Sequence, residues 1–344
     1  MERNVLNIKF PAEWEPQSAV MLTWPHENTD WNPILDEVVA CYISIVKAVL
    51  PKEKLIIVCR SEADVRKALG KPDYSRIIFR EIPSNDTWAR DHGPISVTVN
   101  DIPYILDFTF NGWGLKFPAD CDNRITKRLF ASNVFGNRVA YQNMMHMVLE
   151  GGSIESDGNG TILTTSRCLL SPNRNEYKSL DEIDDYLKML FGAKRILFLN
   201  HGYLAGDDTD SHIDTLARFC DEKTIAYVRC DDVDDEHYEE LLSMEQELKS
   251  FTTEAGQPYR LVPLPMAEAV YCEGERLPAT YANFLIINGA VLMPGYDSPS
   301  DKIAKSTLQA AFPDREIIEI NCLPLIKQHG SLHCVSMQIP QGFL

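Results

Sequence analysis

Five uncommon side chains recur along this chain at nearly equal intervals. Trp24 and Trp88 are 64 residues apart, Trp88 and Glu150 are 62 apart, and Glu150 and His212 are also 62 apart. Cys334 follows His212 after 122 residues, which is twice 61. A repeating unit of about 60 residues would place equivalent positions at such intervals, and five units would fill the chain. In a closed ring of repeats these positions converge on the axis, so the spacing predicts one central site.

Hydrophobic periodicity predicts several strands and one helix in each unit, and hence an α/β fold. Short apolar runs bounded by turn residues indicate the strands, and amphipathic stretches indicate the helices. The predicted strands are 18–25, 54–60, 76–82, 95–99, 104–110, 161–165, 195–199, 224–229, 259–264, 279–284, 285–294 and 317–320, and the predicted helices are 30–50, 62–69, 124–132, 179–191, 235–251 and 301–312.

The stretch 206–215 holds one imidazole among four carboxylates. On an extended segment the side chains of His212 and Asp214 would point to the same face, because strand residues alternate. The two could therefore share a site. An alternative is a solvated acidic loop in which the histidine has no role. A calcium site is disfavoured because the stretch lacks the EF-hand glycine and terminal glutamate.

Two further polar segments follow predicted strands. Trp88 and Asp91 lie in a stretch that closes with Gly93-Pro94, a strong breaker. Glu150 lies between an apolar strand and two glycines, where burial without a cationic or hydrogen-bonding partner would be costly. The alternative interpretations are a turn with a core-capping tryptophan for the first segment and the shoulder of a hairpin for the second.

Composition restricts the classes of partner. The formal charge of −17 argues against a polyanion such as nucleic acid and is compatible with a small cationic ligand. Nine cysteines without a CxxC pair fit neither a disulfide framework nor a zinc site, so we expect most of them to be reduced and buried. The N-terminal segment 1–7 lacks the pattern of a secretion signal, and no apolar run is long enough to cross a bilayer. These features predict a cytoplasmic protein without a membrane partner.

Cysteine, histidine and several carboxylates without metal-ligand spacing indicate nucleophilic catalysis if they converge. A thiolate at Cys334 would attack, and the imidazole of His212 would move protons. Carboxylates around a thiol suppress its ionisation unless something positive enters, so a guanidinium or amidinium substrate is favoured over an ester or peptide. The alternative for Cys334 is one more buried, inert thiol.

Four motifs in this order resemble the agmatine deiminases and the closely related bacterial peptidylarginine-deiminase-like proteins. The resemblance extends from Trp24-Pro25 to Gln338-Ile339-Pro340, which is essentially the whole chain. The motifs are Trp88-Ala89-Arg90-Asp91-His92-Gly93-Pro94, Glu150-Gly151-Gly152, Asp208-Thr209-Asp210-Ser211-His212-Ile213-Asp214 and His333-Cys334, with Phe110-Asn111-Gly112-Trp113-Gly114 between the first two.

The resemblance implies a pentein fold, a five-bladed α/β propeller of ββαβ-type units formed by residues 1–344 as one domain, with neither metal nor organic cofactor. Cys334 matches the nucleophile of that family. His212 matches the general acid/base, and Glu150 matches the carboxylate that pairs with this histidine. Asp91 and Asp214 match the pair that grips the guanidinium nitrogens.

The same resemblance implies three substrate-binding residues. Trp88 is expected to flank the substrate, Asp208 to bind the distal amine of agmatine, and Trp24 to line the entrance. His333 would point away from the site if its segment is extended, so no catalytic role is assigned to it. The remaining histidines are interpreted as structural or surface residues: His26, His92, His146, His201, His237 and His329.

The implied activity is hydrolysis of agmatine to N-carbamoylputrescine and ammonia through a covalent amidino-cysteine intermediate, in putrescine biosynthesis. One departure bears on the substrate, because His329-Gly330-Ser331 stands where the family usually has a run of glycines. Free or peptidyl arginine is therefore an alternative substrate. A catalytically silent propeller that binds partners is the alternative of another class. A homo-oligomer is also compatible with the resemblance.

Overall fold

The protein is described by a computed structural model that covers residues 6–176 and 179–344. Part of the N-terminal segment in which no secretion signal was predicted, residues 1–5, lies outside these ranges. Across the two described ranges, no helix combines the length and the apolar composition needed to cross a membrane.

Within the described residues, the strands form five sheets of three or four strands and one two-stranded ribbon, Tyr271–Cys272 with Glu275–Arg276. Each of the five sheets contains an antiparallel pair followed by a parallel pair. The sheets are Ser336–Pro340, Gln17–Thr23, Lys54–Cys59 and Ile77–Glu81; Ile8–Lys9, Ile95–Val99, Ile102–Thr109 and Ala140–Val148; Ile154–Ser156, Thr161–Thr165 and Arg195–Leu199; Ala217–Asp221, Thr224–Arg229 and Arg260–Pro265; and Leu285–Ile287, Ala290–Gly295 and Glu316–Asn321.

A helix joins the two strands of each parallel pair, as parallel strands require a crossover connection. The sequence thus repeats a strand–strand–helix–strand unit, and the α/β prediction is confirmed. The crossover helices are Leu35–Val49, Glu62–Leu69, Ile125–Ala131, Leu180–Phe191, Tyr238–Ser250 and Ser300–Ala311, and shorter helices are Ala89–His92, Gly112–Leu115, Ser166–Leu169 and Leu323–Ile326.

The packing follows from the apolar pattern of each element. Five of the six residues of Lys54–Cys59 are buried, as expected for a strand covered on both faces. Val38 and Ile45 of the first long helix belong to the same apolar cluster as Leu55 and Ile57 of this strand. Burial of such side chains contributes about 1.5–3 kcal/mol each, so this helix is held mainly by its contact with the sheet.

The C-terminal strand completes the sheet that begins near the N-terminus. Ser336–Pro340 pairs antiparallel with Gln17–Thr23. This pairing fixes the chain immediately after Cys334 against a buried central strand, and it brings residues more than 300 positions apart in sequence into one sheet. The position of the predicted nucleophile therefore depends on closure between the two ends of the chain.

Most predicted elements are confirmed to within a few residues, but three are wrong in instructive ways. The strand predicted for 285–294 is an antiparallel hairpin of two strands, Leu285–Ile287 and Ala290–Gly295, because Asn288-Gly289 forms a turn between them. The helix predicted for 30–50 begins at Leu35, because residues Asn32–Ile34 form a 3₁₀ turn around a proline. Residues 279–284 were predicted as a strand and lie outside every strand. Their side chains are buried, including Thr280 and Asn283, so burial here marks an irregular segment of the core and not a strand.

Candidate active site

Three of the predicted side chains converge on the backbone of Gly152. A Cβ at this position would lie 2.6 Å from His212 Nδ1, 2.9 Å from Asp91 Oδ1 and 3.1 Å from Asp214 Oδ2. A real side chain cannot approach other atoms so closely, so the site can assemble only around a glycine. The glycine pair after Glu150 thus has a packing reason in addition to its turn geometry.

Asp91 lies on the short helix Ala89–His92, which directly follows Trp88. Its Oδ1 accepts a hydrogen bond from the Gly152 amide at 3.0 Å, and its Oδ2 accepts one from Trp113 Nε1 at 2.9 Å. Burial raises the pKa of Asp91 to about 6, against the lowering effect of the His212 charge. The carboxylate is consequently fixed in orientation and becomes easier to protonate than an exposed aspartate.

Asp214 shows the opposite electrostatic balance. Burial alone would raise its pKa, but the hydrogen bond and charge of His333 outweigh burial and leave the pKa below its usual value. His333 Nδ1 lies 2.7 Å from Asp214 Oδ2, while Oδ1 is buried without a hydrogen-bond partner among the described residues. One oxygen is thus held by the protein, and the other is left for a ligand that can donate.

Cys334 lies in the turn before the last strand and is 6% exposed. Its Sγ is 3.4 Å from Asn283 Oδ1 and 3.8 Å from Asp214 Oδ2. Burial raises the pKa of the Cys334 thiol well above its usual value, and Asp214 and Asp91 raise it further. In the unliganded protein the thiol is therefore protonated, and a cation close to the sulfur would favour the thiolate.

His212 is buried, and its Nδ1 lies 3.6 Å from Asp91 Oδ1. Burial would lower the pKa of this imidazole, but the nearby Asp91, Cys168 and Glu150 raise it to about 10. The histidine is thus an imidazolium at neutral pH. Its Nε2 makes no direct hydrogen bond within the described part of the chain, although the Cys168 thiol lies close to the imidazole.

The local conformation around His212 differs from the extended segment that was predicted. Ile213–Thr215 forms a 3₁₀ turn, and both Asp210 and Ser211 have positive φ. His212 and Asp214 therefore do not share a face through strand alternation. They nevertheless reach the same site, because both side chains approach Gly152.

Glu150 is fully buried, and its direct partner is Arg174, which was not singled out in the sequence. Arg174 Nε donates to both carboxylate oxygens at 2.9 and 3.1 Å. The same guanidinium also donates to Asp210 Oδ2 at 2.6 Å and to the Thr209 carbonyl at 2.7 Å. The cationic partner that burial of Glu150 requires is thus present, and it also ties the segment before His212 to Glu150.

The ligand atoms of Glu150, Cys168 and His212 lie within 4.8 Å of one another, and all three residues are buried. This is the spacing of a possible three-ligand metal site. Because Arg174 already donates to both oxygens of Glu150, a metal ion would lie beside a guanidinium and would be repelled by it. The donor set therefore favours an ion-pair cluster that surrounds the histidine.

A pocket lined by Cys334 encloses about 400 Å³ of space, part of which is open solvent. Trp88 and Asp208, both predicted to bind substrate, line it together with Asp91 and Cys334. Burial raises the pKa of Asp208 to about 6, while the charges of His329 and Lys116 lower it and that of Asp207 raises it. The other lining residues are Asp30, Asp86, Trp113, Phe117, Thr209, Gln328, His329 and Gly330.

Trp24 is not among the residues that line this pocket, so its place at the entrance stays a prediction. It is 6% exposed and packs edge-on against Tyr42, with ring centroids 5.5 Å apart. Trp24 directly follows the strand Gln17–Thr23. It belongs to the apolar cluster that packs beneath the helix Leu35–Val49. Of the five evenly spaced residues, this one serves packing.

His333 was excluded on the assumption of an extended segment, and that assumption is wrong. Residues 332–335 form a turn, so alternation does not apply. The His333 ring bridges two buried carboxylates, with Nδ1 2.7 Å from Asp214 and Nε2 2.7 Å from Glu13. Glu13 is held in turn by Arg218 at 3.0 Å and Arg90 at 3.4 Å. A charged network behind the site thus fixes Asp214.

Residues 9–340 match the family described as Porphyromonas-type peptidyl-arginine deiminase. This match spans nearly the whole chain. The chain belongs to that family. A solved structure from Porphyromonas gingivalis, described as a candidate arginine deiminase, is 58% identical with a TM-score of 0.95, over 98% of this chain and 100% of that one.

Other members of the group carry the name agmatine deiminase. A cysteine-to-serine variant of the C. jejuni agmatine deiminase, solved with substrate bound, is 39% identical with a TM-score of 0.92, over 100% of this chain and 99% of that one. The agmatine deiminase of Pseudomonas aeruginosa is 30% identical over 97% of this chain and 95% of its own length. More distantly, a dimethylarginine dimethylaminohydrolase structure has a TM-score of 0.51 at 11% identity, covering 94% of this chain and 100% of that one, which shows likeness of fold alone.

Proposed function

We propose that this chain hydrolyses the guanidinium group of agmatine and releases ammonia and N-carbamoylputrescine. The observation that carries the proposal is the convergence of Asp91, Asp214 and His212 around Gly152, with the Cys334 sulfur 3.8 Å from Asp214. Membership of a deiminase family and the agmatine deiminases among its relatives support the same reaction. We also propose that the five sheets are the blades of one pentein propeller, 1–344, around this site.

The substrate cation would bind between the two aspartates. The free Oδ1 of Asp214 and the carboxylate of Asp91 accept hydrogen bonds from guanidinium nitrogens, and such charge-assisted bonds are roughly twice as strong as neutral ones. The guanidinium carbon then lies close to the sulfur. Its positive charge supplies a counter-charge for a thiolate, so Cys334 releases its proton to solvent when substrate binds.

The first half-reaction forms a carbon–sulfur bond. The thiolate of Cys334 adds to the guanidinium carbon, and the imidazolium of His212 transfers its proton to one of the two terminal nitrogens. The carbon–nitrogen bond breaks, ammonia leaves, and a cationic amidino group remains on the sulfur. His212 is cationic before substrate binds, which suits it to this role as an acid.

The second half-reaction consumes water. His212, now neutral, removes a proton from water as the oxygen adds to the amidino carbon. The carbon–sulfur bond breaks, the thiolate is restored, and loss of a proton from the product gives the carbamoyl group. Glu150 and Arg174 hold the surroundings of His212 through both steps. Neither half-reaction needs a metal or an organic cofactor.

A substrate panel tests the assignment. We expect kcat/KM for agmatine to exceed that for free arginine and for a peptidyl arginine, because Asp208 lines the cavity and suits a cationic tail better than a carboxylate. Ammonia and the carbamoyl product should be measured for each substrate. Higher kcat/KM with arginine or the peptide would overturn the substrate assignment, and no turnover of any of the three would favour a binding protein. The cytoplasmic location, the homo-oligomer and the place in putrescine biosynthesis stay predictions.

The pH dependence follows from three shifted groups. Asp91 must be ionised to bind the guanidinium, and burial raises its pKa to about 6, so kcat/KM should fall as the pH drops below about 6. The Cys334 thiol is protonated in the free protein and must lose its proton, so kcat/KM should keep rising with pH above 6. His212 must stay protonated to release ammonia, and its pKa is raised to about 10, so this rise should stop as the pH passes about 10.

Asp208 has a similarly raised pKa and must be separated from Asp91. Butylguanidine carries the guanidinium without the distal amine, so its kcat/KM does not depend on Asp208 binding an ammonium. Its acid limb should still lie near 6. An acid limb near 3.8, the usual value for an aspartate, would contradict the role given to buried Asp91.

A further inference from the structure

His329 has a backbone conformation that side chains with a Cβ adopt at a cost. Its φ is +66°, in the left-handed region. Such residues persist where the surrounding contacts hold them, and they are frequent at binding sites. His329 also lines the cavity that contains Cys334, so its strained position is part of the site wall. Its interpretation as a structural or surface residue is therefore incomplete.

The His329 side chain joins two loops. Its Nδ1 lies 2.7 Å from the carbonyl oxygen of Gly206, 123 residues away. A carbonyl can only accept, so Nδ1 carries the proton of this hydrogen bond. Gly206 lies two residues before Asp208, and a side chain at Gly206 would meet the Arg276 carbonyl at 2.4 Å. The imidazole of His329, which lines the pocket, thus holds the backbone at Gly206, two residues before Asp208.

Other contacts hold the two segments that His329 joins, which are its own loop and the segment around Asp208. A Cβ at Gly330 would lie 2.1 Å from the Trp88 ring, so the loop of His329 packs directly on this tryptophan. On the other side, Lys116 donates to the Asp208 carbonyl and to Asp210 Oδ1. The backbone around Asp208 is thus held from both sides, and His329 links this segment to the loop that carries the nucleophile.

We propose that His329 is a specificity-determining positioning residue that places Asp208 to bind the distal ammonium of a linear guanidine substrate. The inference rests on the proposed function, because it concerns the far end of the same bound substrate. The substrate class it selects is a guanidine with a cationic amine at the opposite end of an alkyl chain. Guanidines without that amine gain nothing from the contact.

The test compares agmatine with butylguanidine in His329→Gly. Glycine adopts positive φ freely, so this variant removes the imidazole without adding backbone strain. We expect KM for agmatine to rise roughly tenfold, the size of one charge-assisted contact, with kcat little changed. KM for butylguanidine should stay as in the wild type. A purely structural role would raise KM for both substrates or lower kcat for both.

A double-mutant cycle shows whether His329 acts through Asp208. In an Asp208→Asn background, His329→Gly should cause no further rise in KM for agmatine, because the contact that it positions is already lost. Independent, additive effects would overturn the inference. His329→Asn gives a second check, since asparagine tolerates positive φ and can donate to a carbonyl. The KM of His329→Asn for agmatine should therefore lie between those of His329→Gly and the wild type.

Binding measurements separate this inference from the proposed function. In a Cys334→Ser background, calorimetry with agmatine and butylguanidine reports affinity without turnover. If both ligands bind and His329→Gly weakens only agmatine, the inference stands. If both bind and the variant weakens them equally or not at all, the inference falls while the deiminase assignment stands. If neither ligand binds, both are overturned.

Discussion

Replacing Cys334 with serine is expected to lower kcat for agmatine by at least ~10³-fold while agmatine still binds. The hydroxyl is a much poorer nucleophile at neutral pH than a thiolate, and no described group beside Cys334 is a strong base that could activate it. Binding should persist because the carboxylates of Asp91 and Asp214 are unchanged. Steady-state kinetics and calorimetry on the same preparation give both quantities.

Cys230→Ser is the matched control for this substitution. Cys230 is 7% exposed, close to the 6% of Cys334, and its thiol donates to the Asp232 carbonyl, a contact that serine can keep. We expect kcat of this variant to equal that of the wild type. Turnover by Cys334→Ser at a rate within tenfold of the wild type would exclude covalent catalysis by this sulfur.

His212→Asn is expected to lower kcat by roughly 10²–10⁴-fold, the usual contribution of a general acid/base. Without a proton donor the leaving nitrogen would have to depart as an amide anion, and the side chain of asparagine is not acidic enough to protonate it. The same residue activates water in the second step, so both half-reactions should slow. Because His212 is held as a cation by Asp91, Cys168 and Glu150, its loss also leaves these groups without a counter-charge.

That loss of counter-charge requires a stability control. His237→Asn removes another buried histidine, whose Nδ1 lies 2.6 Å from Asp235 and whose Nε2 accepts from the Ala205 amide. It should reduce the free energy of unfolding yet leave kcat unchanged. If His212→Asn stayed folded at the assay temperature and retained wild-type kcat, the acid/base role would be refuted.

The electrostatics of the site explain why the substrate has to be a cation. Buried carboxylates next to a buried thiol hold that thiol protonated, which protects it from oxidation and from unrelated electrophiles. A bound guanidinium places a positive charge beside the Cys334 sulfur and so favours the thiolate over the thiol. The reactive thiolate thus arises only with substrate present, and a neutral ester or amide would bind without activating Cys334.

Local features of the fold could be predicted because local signals determine them. The helix Glu62–Leu69 was predicted with its observed bounds, since Ser61 accepts a hydrogen bond from the Asp64 amide and Gly70 ends it with φ +76°. The predicted strands 95–99 and 104–110 form a hairpin across Asn100-Asp101, two residue types that tolerate the positive φ that both have here. The site motifs could be predicted only through the resemblance to a family.

The contacts that support the site leave no local signal. Glu13 meets His333 across 320 residues, and Arg174 meets Glu150 only after the chain folds back over an intervening hairpin. Trp113, quoted in a motif without a role, donates to Asp91 from the short helix Gly112–Leu115, in which its own φ of +54° is not helical. Each is a side-chain contact set by tertiary packing, so neither periodicity nor spacing could have located it.

The most direct test of the account is to trap the covalent intermediate. Wild-type protein mixed with excess agmatine, quenched in acid within the first turnovers and digested, should yield a Cys334-containing peptide heavier by agmatine less ammonia, and the same peptide from His212→Asn should show how far the adduct depends on the histidine. The account predicts this adduct on Cys334 and on no other cysteine. Normal release of ammonia with no adduct under any quench time, or an adduct on a different residue, would contradict it.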